Sequence, residues 1–214
     1  LGNKPLIGHS ITAALDSKFL NTVVVSSEDD EICNVATKYG VQVLRRPQQL
    51  ALDNIQNIEV VRHVISNLGE AVTHVVLLQP TSPFRSSNDI DRCVELLLNG
   101  NVRSVISVTP CEHHPAKAVQ LMDNNEITKS SDGVDMEARR QDLPDMYRQN
   151  GAIYATNVDD LVRLNRFVVY PCKAYVMPLI SSVDIDTEAD LRLAEQLLSS
   201  DRSLLDNIQG YPHG

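Results

Sequence analysis

Short β-branched runs alternate with stretches of helical spacing through the first half of this chain, and that alternation constrains its fold more than any other feature. TVVVS (22–26), VQVLR (41–45), HVVLLQ (74–79) and VRSVISVT (102–109) read as buried strands. Between and before them, residues 6–18, 29–39, 55–68 and 88–99 carry apolar side chains at helical spacing. Asp29, Asp30 and Glu31 open the second of these, where negative charge suits the helix dipole. Gly40, Gly69 and Gly100 stand where three of the helices should stop. Strand, helix and strand repeating in this way predict right-handed βαβ units, a mostly parallel sheet and an α/β, Rossmann-like fold.

The pattern changes at residue 110. Residues 110–149 are polar and weakly periodic, and they read as an irregular insertion of short strands and loops, a kind of segment that is often functional. Order returns with a strand at 150–156, a short helix VDDLVRL, a strand at 173–179 and a last helix over 187–200. The tail 201–214 is polar and carries no signal. The 214 residues suit a single domain, 1–214, with the insertion as its appendage.

Composition narrows the function. Hydrophobic residues make up 43% of the chain, enough for a full core. The net charge of −9 argues against nucleic acid or an anionic membrane as partner, so an anionic substrate would need a local basic cluster. No apolar stretch is long enough to span a bilayer, and no signal peptide is evident. Cys33, Cys93, Cys111 and Cys172 form no CxxC pair, so they are expected to be reduced thiols of a cytoplasmic protein, with Cys33 and Cys93 packed in the core.

Three constellations carry chemistry. In VDIDT, Asp184 and Asp186 stand two apart, and in an extended segment they point to one side, where they could share a Mg²⁺. The same segment precedes a helix, so Asp186 or Thr187, with Asp190, could instead be a helix cap. Gln79-Pro-Thr-Ser-Pro83 follows the strongest strand, at the carboxyl end where open sheets bind ligands; it also reads as a Pro-rich turn. Lys117, Arg139, Arg140 and Arg148 are candidate binders of carboxylate or phosphate, or else ordinary surface charges, and Arg46 after a strand raises the same question. His113 and His114 are adjacent and would point apart, a poor chelating pair. There is no GxSxG, P-loop or GxGxxG motif.

Taken in order, LRRP (44–47), LLQPTSPFR (77–85), EHHPAK (112–117), RQDLPDMYRQNGAIY (140–154) and SVDIDTEAD (182–190) resemble the N-acylneuraminate cytidylyltransferases, or CMP-sialic acid synthetases. The resemblance implies transfer of CMP from CTP to the anomeric hydroxyl of a nine-carbon 2-keto acid sugar, with release of pyrophosphate. It implies Mg²⁺ on Asp184 and Asp186, with Asp186 also helping to deprotonate the sugar. It places Arg46 at the nucleotide, Gln79 in the substrate pocket, Lys117 and Arg140 at the sugar carboxylate, and Asn150 and Tyr154 beside the sugar. It implies a homodimer built through the 110–149 insertion, which would bring Lys117 or Arg140 to the partner's site. It also implies a first strand and a basic Ser/Gly triphosphate loop, roughly 20–30 residues that this sequence does not include. Asn57 stands where the family commonly has Ser, and Val168 where a second aromatic is frequent, both near ligand positions. Related cytidylyltransferases for legionaminic or pseudaminic acid, or a non-catalytic nucleotide-sugar-binding scaffold, are the alternatives; one for 3-deoxy-manno-octulosonic acid fits EHHPAK and RQDLP less well.

Overall fold

The computed structural model describes residues 1–69, 71–129 and 135–200. Part of the insertion (130–134) and the tail 201–214 lie outside the described residues. In chain order the elements are α1 (Leu6–Leu15), β1 (Val24–Ser27), α2 (Asp30–Lys38), β2 (Gln42–Arg45), α3 (Asn57–Asn67), β3 (His74–Leu77), α4 (Ser87–Asn99) and β4 (Ser104–Pro110). The insertion follows, with β5 (Val119–Leu121) and β6 (Ile127–Lys129). Then come β7 (Tyr147–Asn157), α5 (Val158–Leu164), β8 (Cys172–Val176) and α6 (Glu188–Ser200).

Three of the helices begin where short polar side chains occupy the free backbone amides. Asp29 caps α2, Asn157 caps α5, and Ser86 with Asp89 forms a reciprocal capping box on α4. Apolar faces of α1 and α4 then pack on the sheet. Ala13, Ile90, Cys93, Val94 and Leu97 meet Val105, Ile153, Ala155 and Met177 in the main core. Cys93 is fully enclosed there, and burial pushes its thiol up to about 12, so it is a packing residue as expected. Cys33 is half-buried, and all four thiols are free.

The main sheet has the order β3-β7-β4-β8. β4 and β8 are parallel, while β7 is antiparallel to both β3 and β4. Three strands therefore share one direction, as the alternation predicted, and the fourth is reversed. The cause is the insertion. The chain leaves β4 at its carboxyl end, passes through 111–146, whose described residues form no crossover helix, and re-enters from the same end, so β7 must run back. The strand is also longer than the sequence predicts, 147–157 against 150–156. This reversal positions the site, because it brings the first half of β7 to the edge where β3 and β4 end.

β1 and β2 form a separate parallel pair. Among the described residues β1 pairs with no strand but β2, and β3 with none but β7. Between the two free edges lies a cavity of about 810 Å³, lined by Val23–Ser26 on one side and His74–Leu78 on the other, over Ile7, Ile11, Val61, Val94 and Leu97. This slot separates the β1–β2 pair from the main sheet. Among the described residues, no helix is long and apolar enough to cross a membrane.

Candidate active site

Three segments converge at the carboxyl edge of the sheet, and local geometry fixes each. The turn after β3 carries Gln79, Pro80 and Thr81, with the Ser82 amide donating to the Gln79 carbonyl. The reversed β7 supplies Asn150 and Gly151. The stretch after β8 supplies Val183–Asp186.

Gly151 shows how close these segments come. Its φ is +74°, in the region that favours glycine, and a Cβ there would lie 2.6 Å from Gln79 Oε1 and 3.7 Å from Asp184 Oδ2. Gln79, Gly151 and Asp184 therefore share one small space; the positive φ favours glycine there, and a Cβ would make the Gln79 carboxamide shift. Sequence reasoning did not single out Gly151, although a glycine directly after an asparagine at a predicted strand was a signal for it.

Ile185 pins the two acidic residues. Its side chain is buried against Phe84, Ala194 and Leu198, and its amide donates to the Thr81 carbonyl at 2.9 Å. Residues on either side of a buried one in extended chain turn outward, and Asp184 and Asp186 are both exposed. The cap reading of VDIDT has its own residues. Asp190 accepts from the Thr187 amide (2.8 Å) and hydroxyl (2.7 Å), and its own amide donates to Thr187 Oγ1. The Thr187 contacts hold the Asp190 carboxyl below its ordinary value. Capping thus leaves Asp184 and Asp186 without a hydrogen bond or ion pair to their carboxylates among the described residues. Two outward carboxylates beside one pinned residue suit a shared hard cation whose other ligands are water and phosphate oxygen. No group of three or more His, Cys, Asp or Glu suited to a metal occurs among the described residues.

Asn150 is placed otherwise than its reading as a substrate contact implies. Its side chain is 2% exposed. Its Oδ1 accepts from Ser107 Oγ (2.6 Å), and its Nδ2 donates to Ser182 Oγ (2.9 Å). The carboxamide is spent inside the protein, tying β4 and β7 to the residues just before Asp184. Tyr154 does face a cavity. Its ring lies 5.8 Å from that of Phe167, and both line a space of about 470 Å³ with Gln56, Asn57, Gln79, Arg166 and Val168. Burial, with Asp184 nearby, raises its phenol above the ordinary value. Asn57 and Val168 thus share one cavity with Gln79.

Arg46 lies across the slot at the end of β2. It donates to the Ser26 carbonyl and lies 3.7 Å from Glu28. Lys117 and Arg140 belong to the insertion. Lys117 donates to the carbonyls of Met136 and Ala138, and Arg140 sits exposed in a short 3-10 turn. Neither is hydrogen-bonded or ion-paired to Gln79, Gly151 or Asp184. Arg148 pairs with Glu112, and His114 holds the Pro144 carbonyl, so both brace the insertion. Arg85, which the sequence reading passed over, is buried behind Gln79.

Known proteins resemble this chain in sequence and in fold. The cytidylyltransferase family model matches residues 1–209. The CMP-N,N'-diacetyllegionaminic acid synthase of Legionella pneumophila is 33% identical over 211 residues, covering 96% of this chain and 90% of that protein. The N-acylneuraminate cytidylyltransferase of Escherichia coli is 32% identical over 193 residues, covering 90% of this chain but 45% of that protein. The pseudaminic acid cytidylyltransferase of Campylobacter jejuni is 30% identical over 199 residues, covering 91% and 85%. A solved CMP:2-keto-3-deoxy-manno-octonic acid synthetase complexed with CTP superposes with a TM-score of 0.68 over 92% of this chain and 88% of that one, at 14% identity, a likeness of fold. The chain belongs to the cytidylyltransferase family.

Proposed function

We propose that this chain transfers CMP from CTP to the anomeric hydroxyl of a nine-carbon 2-keto acid sugar, an N-acylneuraminate or its legionaminic or pseudaminic relatives, releasing pyrophosphate. The convergence of Gln79, Gly151 and Asp184 at the carboxyl edge carries the reading. It joins a neutral hydrogen-bonding side chain, a surface without a side chain and a free carboxylate within a few ångströms of one another, with Gln79 lining the cavity of Tyr154 and Phe167. The identities with the Legionella, Escherichia and Campylobacter enzymes support the sugar class.

In the reaction, a sugar oxygen attacks the α-phosphorus and pyrophosphate leaves in line. Asp184 and Asp186 would hold Mg²⁺, which supplies neutralisation of the phosphate charge when bound. Asp186, next to the first turn of α6, would also take the proton of the attacking hydroxyl. Gln79 orients the sugar, Tyr154 and Phe167 wall its tail, and Gly151 lets it approach the backbone. Asn150 positions rather than binds. Arg46 faces the nucleotide side, across the slot beside β1.

Lys117 and Arg140 hold the sugar carboxylate from a second copy of the chain. The exposed apolar residues of the β5–β6 hairpin, Leu121 at 65% and Ile127 at 61%, support a homodimer through the insertion. The test is pyrophosphate release from CTP across a panel of acidic sugars, with light scattering for the oligomer. Turnover with nine-carbon acids is expected, and turnover confined to an eight-carbon acid would refute the substrate class.

A further inference from the structure

Arg85 is 2% exposed and has no carboxylate within ion-pair distance among the described residues. A buried guanidinium is costly unless its donors are occupied. One amino group donates to the Ala152 carbonyl at 2.7 Å and the Gln79 carbonyl at 3.2 Å; the other donates to Ser10 Oγ at 2.6 Å. Its Nε has no partner. Burial lowers its pKa to about 10, so it is still a cation at neutral pH.

The position of those two carbonyls explains the arrangement. The β3–β7 ladder ends at the pair Leu77 and Tyr154. Two residues further along the same antiparallel register, Gln79 would stand opposite Ala152. The guanidinium sits between their carbonyls, where the two strands would otherwise go on pairing. We infer that Arg85 is a positioning residue that holds β3 and β7 apart beyond Leu77, so that Gln79 lines the sugar cavity with its side chain against Gly151 rather than joining the sheet. Ser10 fixes the wedge from α1. A planar fork can take two carbonyls on one side and a hydroxyl on the other, which a lysine ammonium cannot reproduce.

This inference rests on the proposed sugar transfer and acts through Gln79, so it reads out on the sugar and not on CTP. In the full chain, Arg85→Lys is expected to raise the sugar KM about tenfold or more, with the CTP KM within about twofold. Arg85→Ala is expected to lose about a hundredfold in kcat/KM for the sugar, and added guanidinium ion at tens of millimolar should recover a good part of it. If Arg85→Ala does not fold, Arg85→Lys and Ser10→Ala decide. Amide hydrogen exchange at 79–82 and 150–153 should quicken in both, whatever the activity, with α3 and α5 unchanged. A sugar KM that stays at the wild-type value, an equal rise for both substrates, or unchanged exchange at 79–82 would overturn the inference. Wild-type turnover in the same assay tests the functional reading separately.

Discussion

The carboxyl edge of the sheet and the 110–149 insertion make opposite use of polar side chains. At the edge, polar groups are buried and bonded to one another. Asn150 links Ser107 to Ser182, Arg85 bridges two carbonyls, and the Ile185 amide is tied to Thr81. What they leave free is small and specific: the Gln79 side chain, the bare Gly151 backbone and two carboxylates. In the insertion, basic residues bond to the insertion itself, and apolar ones such as Leu121, Met122 and Ile127 face outward. The edge is a completed constellation, whereas the insertion presents a surface that gains energy only when something covers it.

The largest effect should come from the edge. Asp186→Ala is expected to reduce Mg²⁺-dependent pyrophosphate release by about a thousandfold or more, since it removes half of a two-carboxylate site. The melting temperature should hold, because that carboxylate bonds nothing in the fold. Normal turnover in this variant would remove the metal assignment. Gly151→Ala follows. Its methyl would lie 2.6 Å from Gln79 Oε1, and the left-handed φ adds about 1–2 kcal/mol of strain. Activity should fall about a hundredfold with a modest drop in melting temperature. A fall in stability with unchanged kcat/KM would show that Gln79 is a bystander.

The insertion should answer differently. Ile127→Glu is expected to convert a dimer to a monomer by light scattering while leaving the unfolding midpoint of the main sheet near the wild-type value. The sugar KM should rise about tenfold as the partner's Lys117 and Arg140 are lost. Lys117→Ala in the dimer should raise the same KM with CTP unaffected. If the monomer keeps its sugar KM, the carboxylate is held within one chain, and the contrast between the two regions fails.

Much of the edge was legible because it depends on local rules. The strand HVVLL, the turn QPTSP after it and the two-residue spacing of Asp184 and Asp186 each follow from short-range pattern, and they meet because strands of an open sheet end at one edge. The direction of β7 was not legible, because NGAIYAT reads alike in either sense and the path of the insertion decides it. The internal bonding of Asn150 was not legible for a related reason. An asparagine near a pocket and one spent on Ser107 and Ser182 have the same sequence, and the long-range partners of a buried amide make the difference. Arg85 was missed because a lone arginine after a Pro-rich turn looks like a surface charge until burial is known.

The smallest effect separates the two readings of VDIDT that the sequence left open. Thr187 and Asp190 cap α6 with the Asp186 backbone amide also donating to Asp190, whereas the carboxylates of Asp184 and Asp186 take no part in that pairing. Thr187→Ala should therefore cost about 1 kcal/mol of stability, as an exposed cap does, and leave the Mg²⁺ dependence of pyrophosphate release unchanged. The loss should also depend on pH. The Thr187 hydroxyl and amide depress the Asp190 pKa. A depressed carboxyl contributes stability above its unfolded value, near pH 4, and loses it as pH falls through the folded value. The gap in melting temperature between wild type and Thr187→Ala should thus be full at neutral pH and shrink progressively below about pH 4. If Thr187→Ala instead shifted the Mg²⁺ requirement, cap and metal site would be one device, and Asp186 could not be assigned to the metal apart from the helix that follows it.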